Sequence, residues 1–371
     1  MTERDDELRQ RLIALTCDLM EIPRLAAPDK VREQNLSMIK HHIQGLPDID
    51  IEALEHDGIP SIVVRPSGID EPAIMLLAHV DVIEHADHDC YQAHLVDGRI
   101  VGPGAGDMKG QAAILTVLFQ QMHVQYDCPS VGLIITTDEE IGGAAGVGYL
   151  FGAGKVRCGC VINPDGGSLN EVTTDEKGAT HLRLSCHGKS CHAARPWHGD
   201  NALLKMMNGL KALDTSFAEL QTDPLHWHPT CSVSIVETDN KSVNRVPSHA
   251  SAAIDIRFPR PYTLADIHAR VRTCLGPDIE VEELLGAEPV HLDPDPLFLE
   301  CCSELCGEPA RTVRDSGASD SRFIVEQGIP VIMSRPKVGN LHARDEWIDI
   351  ESMITFYRIC ERYLERKLDL V

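Results

Sequence analysis

Six residues in this chain join donor chemistry to telling positions: His79, Asp81, Asp107, Glu139, Glu140 and Asp165. Five of the six are carboxylates, and each lies just past an apolar run or at the start of a helical pattern. Anions gathered in one crevice need neutralising, because a buried carboxylate otherwise protonates or carries a large desolvation cost. Two or more divalent cations would do so. A mixed imidazole and carboxylate set suits zinc, manganese or cobalt better than calcium. In His79-Val80-Asp81 the residues two apart on a strand share a face, so Asp81 can accept the second ring N–H of His79 and fix its tautomer. Taken singly, each residue reads as something plainer. Asp107, after Gly102-Pro103-Gly104-Ala105-Gly106, would serve as an N-cap, and Asp138-Glu139-Glu140 as a solvated turn. The recurrence of the same donors at one strand end after another favours a metal site.

The elements that must position them follow from periodicity. Leu8, Leu12, Leu15 and Leu19 repeat at four, three and four residues, an amphipathic first helix that ends before Pro23. A second helix is expected over 30–44 and strands at 61–65 and 73–78. The latter is continuously apolar, as in a strand buried on both faces of a largely parallel sheet. A helix over 111–123 precedes the strand that delivers the three carboxylates. A glycine-rich helical stretch at 144–151 and a strand at 161–162 lead to Asn163-Pro164-Asp165. This rhythm predicts an α/β fold, a mostly parallel sheet flanked by helices with its loops at the carboxyl strand ends. From about Thr173 the order becomes strand, helix, strand, strand, helix, strand, at 179–186, 201–217, 231–237, 251–258, 264–275 and 279–284. That is a compact α+β unit inserted into the first domain. The first pattern then resumes with a helix at 296–305 and the loop Asp315-Ser316-Gly317-Ala318-Ser319-Asp320, which opens another helix. A strand at 330–334 and a last helix over 350–367 complete it. The expected boundaries are 1–174 and 287–371 for the two parts of the first domain and 175–286 for the insert.

Composition narrows the classes. A chain of 371 residues points to two domains, and 43% hydrophobic residues supply real cores, with no apolar run long enough to span a bilayer. A net charge of −23 argues against nucleic acid, which needs a basic surface, and it concentrates cations nearby. The charged residues 1–7 are followed by no signal-type apolar segment, so nothing marks the chain for export. Thirteen scattered cysteines without zinc-ribbon spacing fit packed, free thiols in a reducing cytoplasm.

Several motifs, in order along nearly the whole chain, resemble the M20 metallopeptidases. They are Glu21-Ile22-Pro23, His79-Val80-Asp81, Gly104-Ala105-Gly106-Asp107-Met108-Lys109-Gly110, Thr137-Asp138-Glu139-Glu140, Asn163-Pro164-Asp165-Gly166, and Leu341-His342 before Asp345-Glu346-Trp347. That family includes acetylornithine deacetylase, succinyl-diaminopimelate desuccinylase, aminoacylase and glutamate carboxypeptidase. The resemblance implies a zinc-exopeptidase-like fold with an inserted lid that also dimerises. It further implies roles by position. Asp107 would bridge two divalent ions, zinc first, with cobalt or manganese as alternatives. His79 and Asp165 would complete one ion, Glu140 and His342 the other. Glu139 would be the general base, passing a proton from the attacking water to the leaving nitrogen. The physics agrees, since a base must hold the water rather than the metal, and two ions ~3.5–4 Å apart lower that water's pKa. His192, in Gly188-Lys189-Ser190-Cys191-His192-Ala193, would stabilise the oxyanion, often across to a partner subunit. Asn244 and Arg257 in the lid, with Gly317 and Ser319 in the glycine–serine loop, would bind the substrate, typically its carboxylate, with Arg257 as a two-pronged donor. Read from the residues alone, His192 is a surface histidine and Arg257 a salt-bridge partner. Two features depart from the family pattern: Pro103 stiffens the loop before Asp107, and Asp165 is a shorter ligand than the Glu found in many deacylases of the family.

The expected function is therefore di-metal hydrolysis of the amide bond in a small N-acyl amino acid with a free carboxylate. The Asp345-Glu346 pair leans toward the acetylornithine deacetylases. The expected molecule is a cytoplasmic homodimer through the lid, with no nucleic-acid or membrane partner. Alternatives are an exopeptidase, dipeptidase or glutamate-type carboxypeptidase of the same family and, outside enzymes, an inactive relative that binds amino acids or metals. Glu139 beside the ligands argues against the last, because a binding module needs no base. No Gly-x-Ser-x-Gly signature of a serine hydrolase is present.

Overall fold

In the computed structural model, which describes residues 3–370, the first helix α1 (Glu3–Leu25) runs through Pro23 instead of stopping before it. Proline in a helix leaves the carbonyl four residues back without its N–H partner. Here that carbonyl is Leu19 O, and the buried Lys109 Nζ donates to it at 2.7 Å. A side chain from another segment thus replaces the missing bond, and Leu8, Leu12, Leu15 and Leu19 are all buried along one stripe.

The helix α2 (Val31–Ile43) is followed by a hairpin, β1 (Ile49–His56) and β2 (Ile59–Pro66), paired from His56↔Ile59 outward. The sequence reading has no strand at 49–56, because β1 is half exposed and carries charges throughout. The signal it does hold is Asp57-Gly58, both at positive φ, the two-residue turn that matches strand twist. After β3 (Ile74–His79), the same Asp-Gly device at 97–98 joins β4 (His94–Val96) to β5 (Arg99–Val101). A tight turn at 105–109 leads into α3 (Gly110–Gln125), then β6 (Val131–Thr136), the short α4 (Tyr149–Gly152), β7 (Cys160–Ile162) and β8 (Glu171–Glu176). Next come β9 (Gly178–His187), α5 (Ala202–Ala218), β10 (Thr230–Thr238), β11 (His249–Phe258), α6 (Leu264–Leu275) and β12 (Ile279–Ala287). The chain closes with β13 (Val290–His291), α7 (Pro296–Cys306), β14 (Arg311–Asp315), α8 (Ser321–Val325), β15 (Val331–Ile332), β16 (Val338–Gly339), β17 (Trp347–Asp349) and α9 (Ile350–Lys367).

Two compact units result. The first comprises Met1–Asp175, His291–Asp315 and Ser319–Val371, the second Glu176–Val290 with Ser316–Ala318. The first is built on a six-stranded sheet in the order β1-β2-β6-β3-β7-β15. The pairs β6–β3, β3–β7 and β7–β15 are parallel, and the β1–β2 hairpin adds an antiparallel margin. Every residue of β3, β6 and β7 is buried, as strands covered on both faces require. A second sheet, β16-β17-β5-β4, pairs Trp347 with Val101 and Asp349 with Arg99. The second unit is an antiparallel sheet, β10-β11-β9-β12, with α5 and α6 packed on one face. Alternation along β11 buries Ala250, Ala252, Ile254, Ile256 and Phe258 in that unit's own core.

Candidate metal centre

Parallel pairing aligns the strand ends of the first unit. β3 ends on His79, which lies opposite Thr136, the last residue of β6. Glu139 and Glu140 follow three and four residues after that strand, and Asp165 three after β7. Asp107 comes from the turn after β5, and His342 from the loop between β16 and β17. The register Trp347↔Val101 lays that loop against residues 102–107. Gly106 permits the approach, since a Cβ there would meet Val338 Cβ at 2.9 Å and Trp347 O at 3.0 Å.

The Asp107 carboxylate faces two imidazoles with its two oxygens. Its Oδ1 is 3.1 Å from His79 Nε2 and its Oδ2 is 3.2 Å from His342 Nε2. Glu140 Oε2 lies 3.3 Å from the same His342 nitrogen. A tetrahedral ion with bonds of about 2.0–2.1 Å has ligand-to-ligand edges of about 3.3 Å. Asp107, Glu140 and His342 therefore sit at the spacing of one coordination shell. His79, Glu139 and Asp165 form a second group, their donor atoms within 4.8 Å of one another. Within it Glu139 Oε2 is 4.0 Å from His79 Nε2, farther out than Asp107. The donor set and its spacing fit two divalent ions.

The surrounding bonds hold these donors in place. His79 Nδ1 lies 3.2 Å from the Asp81 carbonyl and 3.4 Å from its Oδ1, so the second ring nitrogen is occupied as the spacing predicts. The Asp81 carboxylate also accepts the backbone N–H groups of Glu139 and Glu140 at 3.3 and 3.0 Å. Asp138 Oδ2 accepts from Ala145 N and Gly146 N, which folds the chain back after Glu140. Burial alone would lower the proton affinity of His79, but its bonds to Asp107 and Asp81 carry it well above the usual imidazole range. The Asp107 and Glu140 carboxylates push His342 up to about 10. Burial, and then the neighbouring Asp165 charge, raise Glu139 well above an ordinary carboxyl.

The sequence offers Glu346 only as a marker of substrate preference and assigns no role to Lys109 or Asp320. All three are buried. Glu346 Oε1 accepts from Gly106 N at 2.7 Å and Asp107 N at 2.9 Å, and Oε2 from His342 N at 3.2 Å. Asp345 Oδ2 accepts from Asn340 Nδ2 at 2.7 Å. Both carboxylates of the Asp345-Glu346 pair thus shape the loop. Only the long-range pairing of β17 with β5 reveals this. Asp320 is pushed up to about 7 by burial, against the lowering effect of Arg322. Ser319, also in the first unit, accepts from Ser321 N and is buried.

The remaining predicted residues belong to the second unit. His192 is exposed, and its Nδ1 accepts from Ala194 N at 3.1 Å, which leaves the proton on Nε2. Its segment pairs with the one carrying Asn244: Ala193 N donates to Asn244 O, and Val246 N to Cys191 O. Asn244 Oδ1 accepts from Ser242 Oγ at 2.6 Å. Arg257 directs Nε and Nη2 to Asp255 at 2.8 and 3.0 Å, the salt bridge that its residue type alone suggests. Gly317 lies in the segment Ser316–Ala318 of this unit.

Imidazoles and carboxylates gathered at the strand ends of a mixed α/β sheet, with a glutamate beside them, define a metal-dependent hydrolase. The chain belongs to peptidase family M20/M25/M40, whose profile matches residues 75–366. It is 26% identical over 334 residues to succinyl-diaminopimelate desuccinylase of Acidiphilium cryptum, covering 85% of this chain and 88% of that one. The desuccinylase of Gluconacetobacter diazotrophicus is 27% identical over 333 residues, with 83% and 84% covered. The fold is that of human carnosine dipeptidase 1, with a TM-score of 0.78 at 14% identity and coverage of 99% and 98%. It is also that of the M20 metallo-carboxypeptidase Sso-CP2 from Sulfolobus solfataricus, with a TM-score of 0.73 at 16% identity and coverage of 94% and 98%. Among the described residues no helix is long and apolar enough to cross a membrane.

Proposed function

We propose that this hydrolase cleaves the amide bond of a small N-acyl amino acid at a two-ion centre, with zinc the first choice of ion. The observation that carries the reading is the Asp107 carboxylate, which offers one oxygen toward His79 and the other toward His342. His79, Asp107 and Asp165 would hold one ion, and Asp107, Glu140 and His342 the other. Bound there, the ions would polarise the amide carbonyl and lower the pKa of a water. Glu139 takes that water's proton and returns it to the leaving nitrogen. Asp81 keeps His79 in the tautomer that presents Nε2. His192, with its proton on Nε2, donates to the developing oxyanion. Asn244, Gly317 and Ser319 bind the substrate carboxylate. Arg257 shares in this only insofar as Asp255 leaves it donors. The relatives' names support an N-acyl substrate.

We further propose a cytoplasmic homodimer. Thirteen unpaired thiols suit a reducing compartment. The edge strand β10 exposes Val233, Ile235 and Val236, and α5 exposes Leu204 and Met207, apolar surface on one unit that a second copy would cover. The test is an activity screen of the zinc-loaded chain on N-succinyl and N-acetyl amino acids beside dipeptides and C-terminal glutamate conjugates. Turnover of acylated amino acids at least tenfold above the others supports the reading. Preference for dipeptides or glutamate conjugates would replace it with the exopeptidase one.

A further inference from the structure

We infer that Glu346 is a positioning residue for the metal centre, a single carboxylate that sets Asp107 and His342 relative to each other. The inference rests on the two-ion reading above. Asp107 and His342 arrive on separate loops, and neither loop is a regular element at the ligand itself. Asp107 has φ −142° and ψ 95° within a broken helical turn, and His342 has a positive φ of 63°. A non-glycine residue at positive φ, as His342 is, persists only where the surrounding structure holds it. Glu346 meets both. One oxygen takes the consecutive N–H groups of Gly106 and Asp107, and the other takes His342 N–H. At 2% exposure the carboxylate is buried, and these three N–H groups are its hydrogen-bond partners. Its own backbone is tied to the same loop, since Gly102 N donates to Glu346 O at 2.7 Å. The N–H vectors of two ligand residues therefore converge on one group, held from behind by the β17–β5 register.

Glutamine at 346 tests this with almost no change of volume. Its carbonyl oxygen can still accept from Gly106 and Asp107, but its NH2 would meet His342 N–H donor to donor. Zinc titrated calorimetrically into the metal-stripped full chain should show two ions bound. In Glu346→Gln the affinity for one ion should fall about tenfold, and in Glu346→Ala about a hundredfold, the range known for residues that orient ligands. Adding Glu346→Gln to His342→Ala should change zinc affinity less than twofold, because the imidazole that the Glu346 bond positions is already absent. Thermal unfolding of the stripped proteins reports whether the alanine variant folds; if it does not, the glutamine variant and the double variant decide. Zinc affinities within twofold of wild type in folded Glu346→Gln, or independent effects of Glu346→Gln and His342→Ala, would overturn the inference. A wild-type chain that binds no zinc would overturn the two-ion reading itself, and the positioning role with it.

Discussion

The proposed division of labour between Glu139 as base and Glu140 as ligand draws on small differences in distance. Glu140 approaches His342 Nε2 to 3.3 Å, a ligand's spacing, while Glu139 stands 4.0 Å from His79 Nε2. Glu139→Gln should therefore lower kcat by about 10²–10⁴ while zinc content stays near two per chain. Loss of one zinc would make Glu139 a ligand and remove it as the base. His79, Asp107, Glu139, Glu140 and Asp165 could be found in the sequence because each follows an apolar run or a glycine turn, a local signal. Glu346 could not. It looks like one more acidic residue near the end of a polar loop, and its meaning comes from strands distant in the chain.

Among elements, α1 shows how a local rule yields to a distant contact. Proline should have ended the helix, but Lys109 supplies the bond that Pro23 removes. Lys109→Met should leave Leu19 O buried and unpartnered, costing about 1–3 kcal/mol in urea unfolding of the metal-free protein. Adding Pro23→Ala restores an N–H that can reach Leu19 O within the helix and should recover part of that loss. Equal stability of Lys109→Met and wild type would show that the bond contributes nothing. The buried strands β3 and β6 were readable as continuous apolar runs, and α9 from its amphipathic helical pattern. The hairpin strands β1 and β4 were not, since neither contains a buried residue. Their sign was the Asp-Gly turn, not the hydrophobic pattern.

For the molecule as a whole, the exposed apolar edge of the second unit makes a prediction about assembly. Ile235 is 52% exposed on an edge strand that has no neighbour on its outer side among the described residues. Ile235→Lys should convert the proposed dimer to a monomer in analytical ultracentrifugation, at a stability cost below about 0.5 kcal/mol, as for an exposed site. A wild-type chain that sediments as a monomer would remove the dimer. The spacing of the donors along the chain has a different consequence, one of timing. Asp165 and His342 are separated by 342 − 165 = 177 residues. At a synthesis rate of ~5–20 residues per second, a growing chain waits roughly 10–35 s between making the one and the other. For most of that interval it carries most of the acidic donors but neither His342 nor β15, which pairs with β7 in the central sheet. On the proposed assignment His79, Asp107 and Asp165 are all made early, so the ion that Asp107, Glu140 and His342 would hold is the one whose uptake must wait for His342.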